Sequence, residues 1–430
     1  MSRPFRVLLI SGEYPPMEGG VADFARLLGA ALVALGAEVH VLTSAKATDM
    51  NSQDVEARKG AETNPQTPNP SLRCHPLMHS WSWCPLYSTM SRLLEELSPD
   101  VVNIQYQTAA YAMHPAINLL PWVAHHILPG PARACPFVVT FHDLLVPYLF
   151  PKAGRVRWTA NLALARSCKG VIVTNIEDQE RLSSYPWMPR LELIPIGSNI
   201  PCVLPDDYDR TQWRRRWDIG EEILLLCYFG FLNASKGGED LIAALDSLCR
   251  SGQRVSLLMI GGAVGASDPT NQAYLDLVKR SIRERGLEGK VIWTGYMSPE
   301  EVSASFRSAD LCVLPYRDGA SFRRGSFMAA LAHGMPIVTT GPVPFHPTIS
   351  GKRDRPTHPH RTVPQLRDGE NILLVPPQDP RALSVAITRL ANDAGLRRRL
   401  GEGAQALARE FEWEHIAART LEVFHELAGH

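Results

Sequence analysis

Two stretches of this chain open in the same way, and that repetition limits its fold more than any other feature. In each, an apolar run too short for a helix leads into a glycine-containing loop and then into a segment with apolar residues at helical spacing. The first consists of Arg6–Ser11 (RVLLIS), the loop Gly12–Gly20 punctuated by Pro15, Pro16, Gly19 and Gly20, and Val21–Leu35 with Phe24, Leu27, Leu28, Ala31 and Leu35 on one face. Gly36 is a C-cap candidate, and a second strand follows at Glu38–Thr43. The second stretch starts at Ile223–Phe229 and continues through Lys236 to a helix reaching Leu245. A strand–helix–strand unit needs a right-handed crossover, so the strands lie parallel and helices cover both faces of the sheet.

Further strands are expected at Val101–Gln105, Phe137–Phe141, Val171–Thr174 and Leu191–Ile194, then at Val255–Ile260, Val291–Thr294, Leu311–Leu314, Ile337–Thr340 and Ile372–Val375. Polar residues 45–70, rich in Asn, Thr and Pro, read as a mobile surface loop, and Pro342–Arg361 as another. The charged, irregular segment Pro201–Gly220 reads as a linker, and Pro380–Leu427 as mostly helical. A length of 430 residues fits two or three domains of about 150. The expected division is an α/β domain over 1–205, a second over 206–410, and a terminal helix over 411–430.

Composition narrows the partners. Lysine plus arginine balance aspartate plus glutamate at 44 each, which removes the electrostatic footprint of a nucleic-acid binder but leaves room for a local basic pocket. The apolar run Val7–Ile10 is too short for a signal-peptide core, and no stretch approaches the ~18 residues of a membrane span. Eight cysteines without a CxxC pair read as reduced thiols rather than disulfides or a zinc site. The expectation is a cytoplasmic protein, with the inner face of a membrane within reach.

Four places carry chemistry. Gly19 and Gly20 stand between a strand and a helix start, where backbone N–H groups can approach an anion; a plain tight turn is the alternative. His142 and Asp143 follow the strand PFVVTF, at the end that faces ligands in parallel sheets, and His142 there could donate a hydrogen bond to a sugar or phosphate oxygen. A structural histidine tied to the backbone explains the position equally well. Lys236 sits in a glycine-containing loop after Gly230 and could neutralise a phosphate, although the loop is not a P-loop; a solvated surface lysine is the alternative. The segment Pro315–Pro336 carries Arg317, Asp318, Ser321, Arg323 and Arg324 before a helix start at Gly325 and Ser326, which together make an anion site or a charged solvent-facing turn.

In order and spacing these segments resemble glycosyltransferase family 4. The likeness runs through EYPPMEGGVADFARLLGAALVALGAEVHVLT, VVTFHD, LIPIGSNIP, YFGFLNASKGGEDLIAAL, LLMIGG, VIWTGYMSPEEVSASFRSADLCVLPY, ALAHGMPIVTT, DGENILLVPPQDPRAL and FEWEHIAARTLEVF, nearly the whole chain. The resemblance implies the GT-B fold: two Rossmann-like domains facing across a cleft, with the terminal helix crossing back to the first. It implies a nucleotide-diphosphate sugar as co-substrate, no bound cofactor, no required metal, and transfer with retention to an acceptor hydroxyl. Gly19 and Gly20 match the glycine loop near the donor phosphates and the acceptor. His142 matches the histidine near the transferred sugar, and Lys236 the lysine on the donor diphosphate. In such enzymes basic side chains and a helix N-terminus take the leaving-group charge.

The chain departs from that pattern at the donor site. Phe231 follows Gly230 where many members carry Arg, and the usual Glu-x7-Glu pair falls on Ser321 and Ala329. Arg323 or Arg324 is the expected replacement for the lost cation, and Ser321 takes the first glutamate's place. Acceptor contacts are expected from Gln105, Tyr106 and Asp143, with His114 nearby; for Gln105, Tyr106 and His114 core or cap roles explain the positions equally well. The aromatic and basic run Pro147–Trp158 reads as a solvated helix start, or as a surface that rests on an anionic membrane and reaches a lipid-linked acceptor. Loss of the glutamate pair keeps open a non-catalytic sugar- or nucleotide-binding protein of the same fold. A phosphorylase would need a lysine for pyridoxal phosphate, and none stands out.

Overall fold

A computed structural model describes residues 3–17, 19–47, 72–142, 144, 154–262, 269–341 and 365–429. The chain divides into two compact units, Met1–Gly197 with Trp413–His430, and Ser198–Glu412.

In the first unit the strands are β1 (Arg6–Ser11), β2 (Glu38–Ser44), β3 (Leu72–Met78), β4 (Val101–Tyr106), β5 (Phe137–Phe141), β6 (Gly170–Val173) and β7 (Arg190–Leu193). Among the described residues they form one parallel sheet in the order β3-β2-β1-β4-β5-β6-β7. The helices are α1 (Gly20–Ala34), α2 (Trp83–Leu97), α3 (Ala116–His126), α4 (Gly154–Ser167) and α5 (Ile176–Ser183). Alternate residues of β1 enter opposite cores: Leu8 and Ile10 pack on one face of the sheet, Val7 and Leu9 on the other. Burial on both faces is why the strand reads as an unbroken apolar run.

β3 escapes the sequence reading. Its sequence, LRCHPLM, contains an Arg, a His and a Pro, and most of its residues are only partly buried. It is the edge strand, where one side needs no partner and proline is tolerated.

In the second unit β8 (Leu224–Phe229), β9 (Val255–Ile260), β10 (Val291–Trp293), β11 (Leu311–Leu314), β12 (Ile337–Thr340) and β13 (Leu373–Val375) form a parallel sheet in the order β10-β9-β8-β11-β12-β13. Its helices are α6 (Arg210–Arg215), α7 (Gly238–Arg250), α8 (Pro269–Glu284), α9 (Pro299–Ser308), α10 (Gly325–Ala332), α11 (Pro380–Asn392) and α12 (Ala394–Ala408). The expected linker is instead part of this unit. Asp209 caps α6 through Gln212 N–H at 2.8 Å, and Trp213 is buried. Arg214, 1% exposed, donates to the carbonyls of Ser308 and Gly220 and pairs with Asp310. A buried arginine needs such partners, and they fix the segment.

The last helix, α13 (Trp413–Ala428), belongs to the first unit. Ile416, Ala417, Val423 and Phe424 join the core that holds Phe24, Leu28 and Ile172. Arg419 pairs with Glu192 at 2.8 Å. Residues 48–71 and 342–364, which contain most of the two loops read from sequence, lie outside the described residues.

Both sheets reverse their strand order once, between β1 and β4 and between β8 and β11. Ligands in open parallel sheets bind beyond the carboxyl ends of the strands at such points. The candidate residues follow β1, β5, β8 and β11.

Candidate active site

In the second unit, β8 ends in Gly230, whose φ of 114° lies where side-chain-bearing residues rarely go. A Cβ there would also stand 3.3 Å from Ser326 Cβ. A short helical turn, Ala234–Lys236, follows, with the Asn233 side chain accepting from Ser235 N–H at 3.1 Å. Gly237 at φ 70° then turns the chain into α7, and a Cβ there would collide with the Pro315 carbonyl. These two glycines aim Lys236 inward.

Lys236 Nζ donates to Ser326 Oγ at 3.3 Å and lies 5.3 Å from the centre of the Tyr316 ring. Arg324 stacks on the same ring, with Cζ 4.2 Å from its centre. Tyr316 is fully buried, and its hydroxyl shares a 2.8 Å hydrogen bond with Ser326 Oγ. Arg324 is only 10% exposed, pairs with Asp318, and keeps its Nε buried without a hydrogen-bond partner. Burial, and then the charge of Arg324, pull the Lys236 ammonium down to about 8, with Asp318 opposing. Two cations thus gather at one aromatic ring at the first turn of α10, where backbone N–H groups add positive potential. Such a cluster can offset an anion carrying more than one charge.

The neighbouring candidates are placed differently. Arg317 pairs with Asp240 at 2.9 Å and Glu239 at 3.1 Å, which pins the loop to α7 and removes it from the anion cluster. Arg323 is partly buried, and its guanidinium makes no ion pair among the described residues. Ser321 serves the turn: its carbonyl accepts from Arg324 N–H at 3.1 Å and its hydroxyl from Arg323 N–H at 3.5 Å. Ala329 is fully buried in α10, and its carbonyl accepts from His333 Nδ1 at 2.7 Å. Phe231 is 47% exposed, its ring close to the Gly262 backbone.

In the first unit, Gly19 caps α1 with an extended backbone, φ 173°, and Gly20 opens the helix. A Cβ on Gly20 would meet nothing within 4 Å, whereas one on Gly19 would collide with the Glu13 carboxylate. His142, at the end of β5, places its ring 4.7 Å from Phe24, edge to face. Its Nε2 is 2.9 Å from Gln105 Oε1. Gln105 in turn donates through its amide nitrogen to Asn103 Oδ1, and Asn103 donates to Thr140 Oγ1 at 3.0 Å and to the Val138 carbonyl at 3.2 Å. The network assigns the tautomer: Gln105 presents an oxygen, so His142 Nε2 carries the hydrogen and Nδ1 is left as an acceptor. Burial lowers the ring to about 4, so it is neutral at physiological pH.

Three sequence expectations change here. The free nitrogen of His142 accepts a hydrogen bond and cannot donate one to a phosphate oxygen. Gln105 is fully buried and orients His142 instead of facing an acceptor. Tyr106 is 1% exposed, and its hydroxyl accepts from Asn118 Nδ2 at 2.8 Å. The acceptor reading placed both residues just after the strand, but they are its last two residues, and this central strand is buried on both faces, which leaves them the core role. His114 is a local cap, accepting from Ala116 N–H at 3.2 Å. Asp143 and residues 147–153 lie outside the described residues. Trp158 turns inward, donating to Tyr185 Oη at 2.9 Å under the Arg181 guanidinium. Among the described residues no helix is long and apolar enough to cross a membrane, and no group of acidic, histidine and cysteine side chains could hold a metal ion.

Two parallel α/β units, each reversing its strand order once, are the architecture of the GT-B class of glycosyltransferases. Family models agree: residues 19–197 match the glycosyl transferase 4-like domain, and residues 224–393 match glycosyl transferases group 1. The chain belongs to the GT4-like glycosyltransferases. It is 26% identical over 259 residues to D-inositol 3-phosphate glycosyltransferase of Nocardioides sp., a match covering 58% of this chain and 52% of that protein. The chain thus spans about half the length of that relative. Glycogen synthase of Mycobacterium tuberculosis is 25% identical over 442 residues, covering 97% of this chain and 94% of the relative. HepE of Anabaena, in complex with UDP and glucose, superposes with a TM-score of 0.69 at 17% identity, covering 98% of this chain and all of that one.

Proposed function

We propose that this chain transfers a sugar from a nucleotide-diphosphate donor to an acceptor hydroxyl with retention of configuration, in polysaccharide, glycolipid or glycoconjugate assembly. The observation that carries this reading is the pair Lys236 and Arg324 gathered at the Tyr316 ring at the start of α10. A departing nucleoside diphosphate is a multiply charged anion, and two preorganised cations with helix N–H groups stabilise the charge it gains. Arg324 fills the role vacated at Phe231, and Asp318 holds it in place until a phosphate competes.

The bond between the anomeric carbon and the diphosphate oxygen breaks as the acceptor oxygen bonds to that carbon from the same side. The acceptor's proton passes to the leaving phosphate oxygen. Neutral His142 accepts a hydrogen bond from a donor-sugar hydroxyl through Nδ1. Gly20, open on its Cβ side, lets substrate approach the backbone.

A thermal-shift panel of UDP-, GDP-, TDP- and ADP-sugars tests the donor half. A bound donor at a hundred times its Kd adds ~2.7 kcal/mol of stability. UDP-glucose is the first donor to try, because HepE, of the same fold, is in complex with UDP and glucose. No shift with any of the four, together with no transfer into cell extract, defeats the reading. A second reading, binding without transfer, is favoured by the serine and the buried alanine at positions 321 and 329. Donor-induced shifts without donor consumption would select it.

A further inference from the structure

The glycine loop of the first unit holds a group that the proposed transfer has not yet used. Glu13 lies just beyond β1, between Gly12 and the start of α1, and is half-buried. Its backbone carbonyl accepts from Ser11 Oγ at 2.5 Å, which anchors the main chain. Its carboxylate receives no hydrogen bond and pairs with no cation among the described residues. Partial burial alone raises its pKa, with no neighbour opposing.

Gly19 explains how the carboxylate keeps its place. At φ 173° the backbone is extended, a conformation open to any residue, so conformational freedom does not require glycine here. Space favours it, because a Cβ on Gly19 would fall on Glu13 Oε2 and push the end of that side chain aside. The loop therefore leaves room for one acidic side chain at the reversal point of the sheet, and that side chain keeps its acceptor capacity unused. A half-buried carboxylate without a protein partner keeps its oxygens open to water, and a ligand's hydroxyls can take that water's place. A metal would need more ligands, and none gather among the described residues. An anionic ligand would be repelled. A neutral polyol, all of whose hydroxyls can donate, fits.

We propose that Glu13 is an acceptor-binding residue whose carboxylate takes hydrogen bonds from the hydroxyl groups of a neutral sugar or polyol, with Gly19 holding space for it. The inference deepens the acceptor half of the proposed transfer and rests on that reading. It assigns the chemistry read at this point as uncharged hydroxyls, not phosphate.

Saturation-transfer NMR on the full chain, without nucleotide, tests it with glucose, maltose and myo-inositol as probes. The wild type should bind at least one, and Glu13→Ala and Gly19→Ala should each weaken that binding by about tenfold or more. Gly19→Ala displaces only the flexible end of Glu13, so it checks the same contact without deleting the acid. Glu13→Gln, which keeps one acceptor oxygen, should fall between. All variants should keep the wild-type melting temperature, and Glu13→Ala and Glu13→Gln should keep the wild-type donor-induced shift. Silence of all three probes in the wild type, or equal binding in wild type and both alanine variants, overturns the inference. A wild type that binds a polyol but no nucleotide sinks the donor reading instead, so the two failures are told apart.

Discussion

The Gln105 amide uses its nitrogen on Asn103 and leaves His142 only its oxygen, and that single orientation decides what the imidazole can offer a substrate. Replacing His142 by Phe keeps the packing on Phe24 but removes the acceptor. The expected result is a loss of about two- to tenfold in donor turnover, read from initial rates at saturating acceptor. The folded ring titrates at about 4, below the ordinary histidine value of 6.5. The unfolded chain therefore binds more protons between those values, and stability drains away as pH falls from 6.5 towards 4. Urea midpoints across that window should drop less steeply in His142→Phe than in the wild type. The free acceptor on His142 was not legible in sequence, because it depends on two amides brought over from β4. Glu13 escaped for the opposite reason: it lay in plain view of the glycines, but only the Gly19 geometry shows that the loop is shaped around it.

At the scale of elements, the turn from β8 into α7 and the turn from β11 into α10 converge on one ring. Lys236 titrates at about 8 against an ordinary 10.5, so burial and Arg324 hold part of its charge off at alkaline pH. A bound diphosphate favours the charged form. Binding should therefore take up a proton above pH 8, and UDP affinity should decline as pH rises beyond it. Calorimetry in two buffers of different ionisation enthalpy measures the uptake. Arg324→Ala should weaken UDP by ~1.5–3 kcal/mol, more than Arg323→Ala, since Arg324 stacks on the Tyr316 ring that Lys236 also approaches. Gly237→Ala combines a left-handed backbone with a clash against Pro315. It should cost at least about 1–3 kcal/mol, seen as a lower denaturation midpoint of the second unit. Most strands were legible as apolar runs because they are buried on both faces. β3 was hidden by its edge position, and α6 by a buried arginine that reads as surface charge. The choice between Arg323 and Arg324 needed the fold, because adjacent residues on a loop point in different directions that no spacing rule resolves.

Over the whole molecule, the chain leaves the first unit at Gly197, builds the second as one contiguous piece, and re-enters the first at Trp413. Its α/β class and its two halves were legible from the repeated strand–loop–helix opening, while the boundary near Gly197 was not, because the charged stretch after it mimics a linker. Phe424 is fully buried against the first unit's core. Phe424→Ala should cost ~3–5 kcal/mol and lower the melting of the first unit while leaving the second unchanged, resolved by domain-specific proteolysis during a thermal ramp. The return of α13 also sets an order of events on the ribosome. The second unit is complete in one uninterrupted run of synthesis, but the earlier-made first unit waits for residues translated after it. Until Trp413–Ala428 emerges, the apolar patch around Phe24 and Ile172 stays open, and the nascent chain carries a sticky, unfinished N-terminal half for the whole time its C-terminal half is being made.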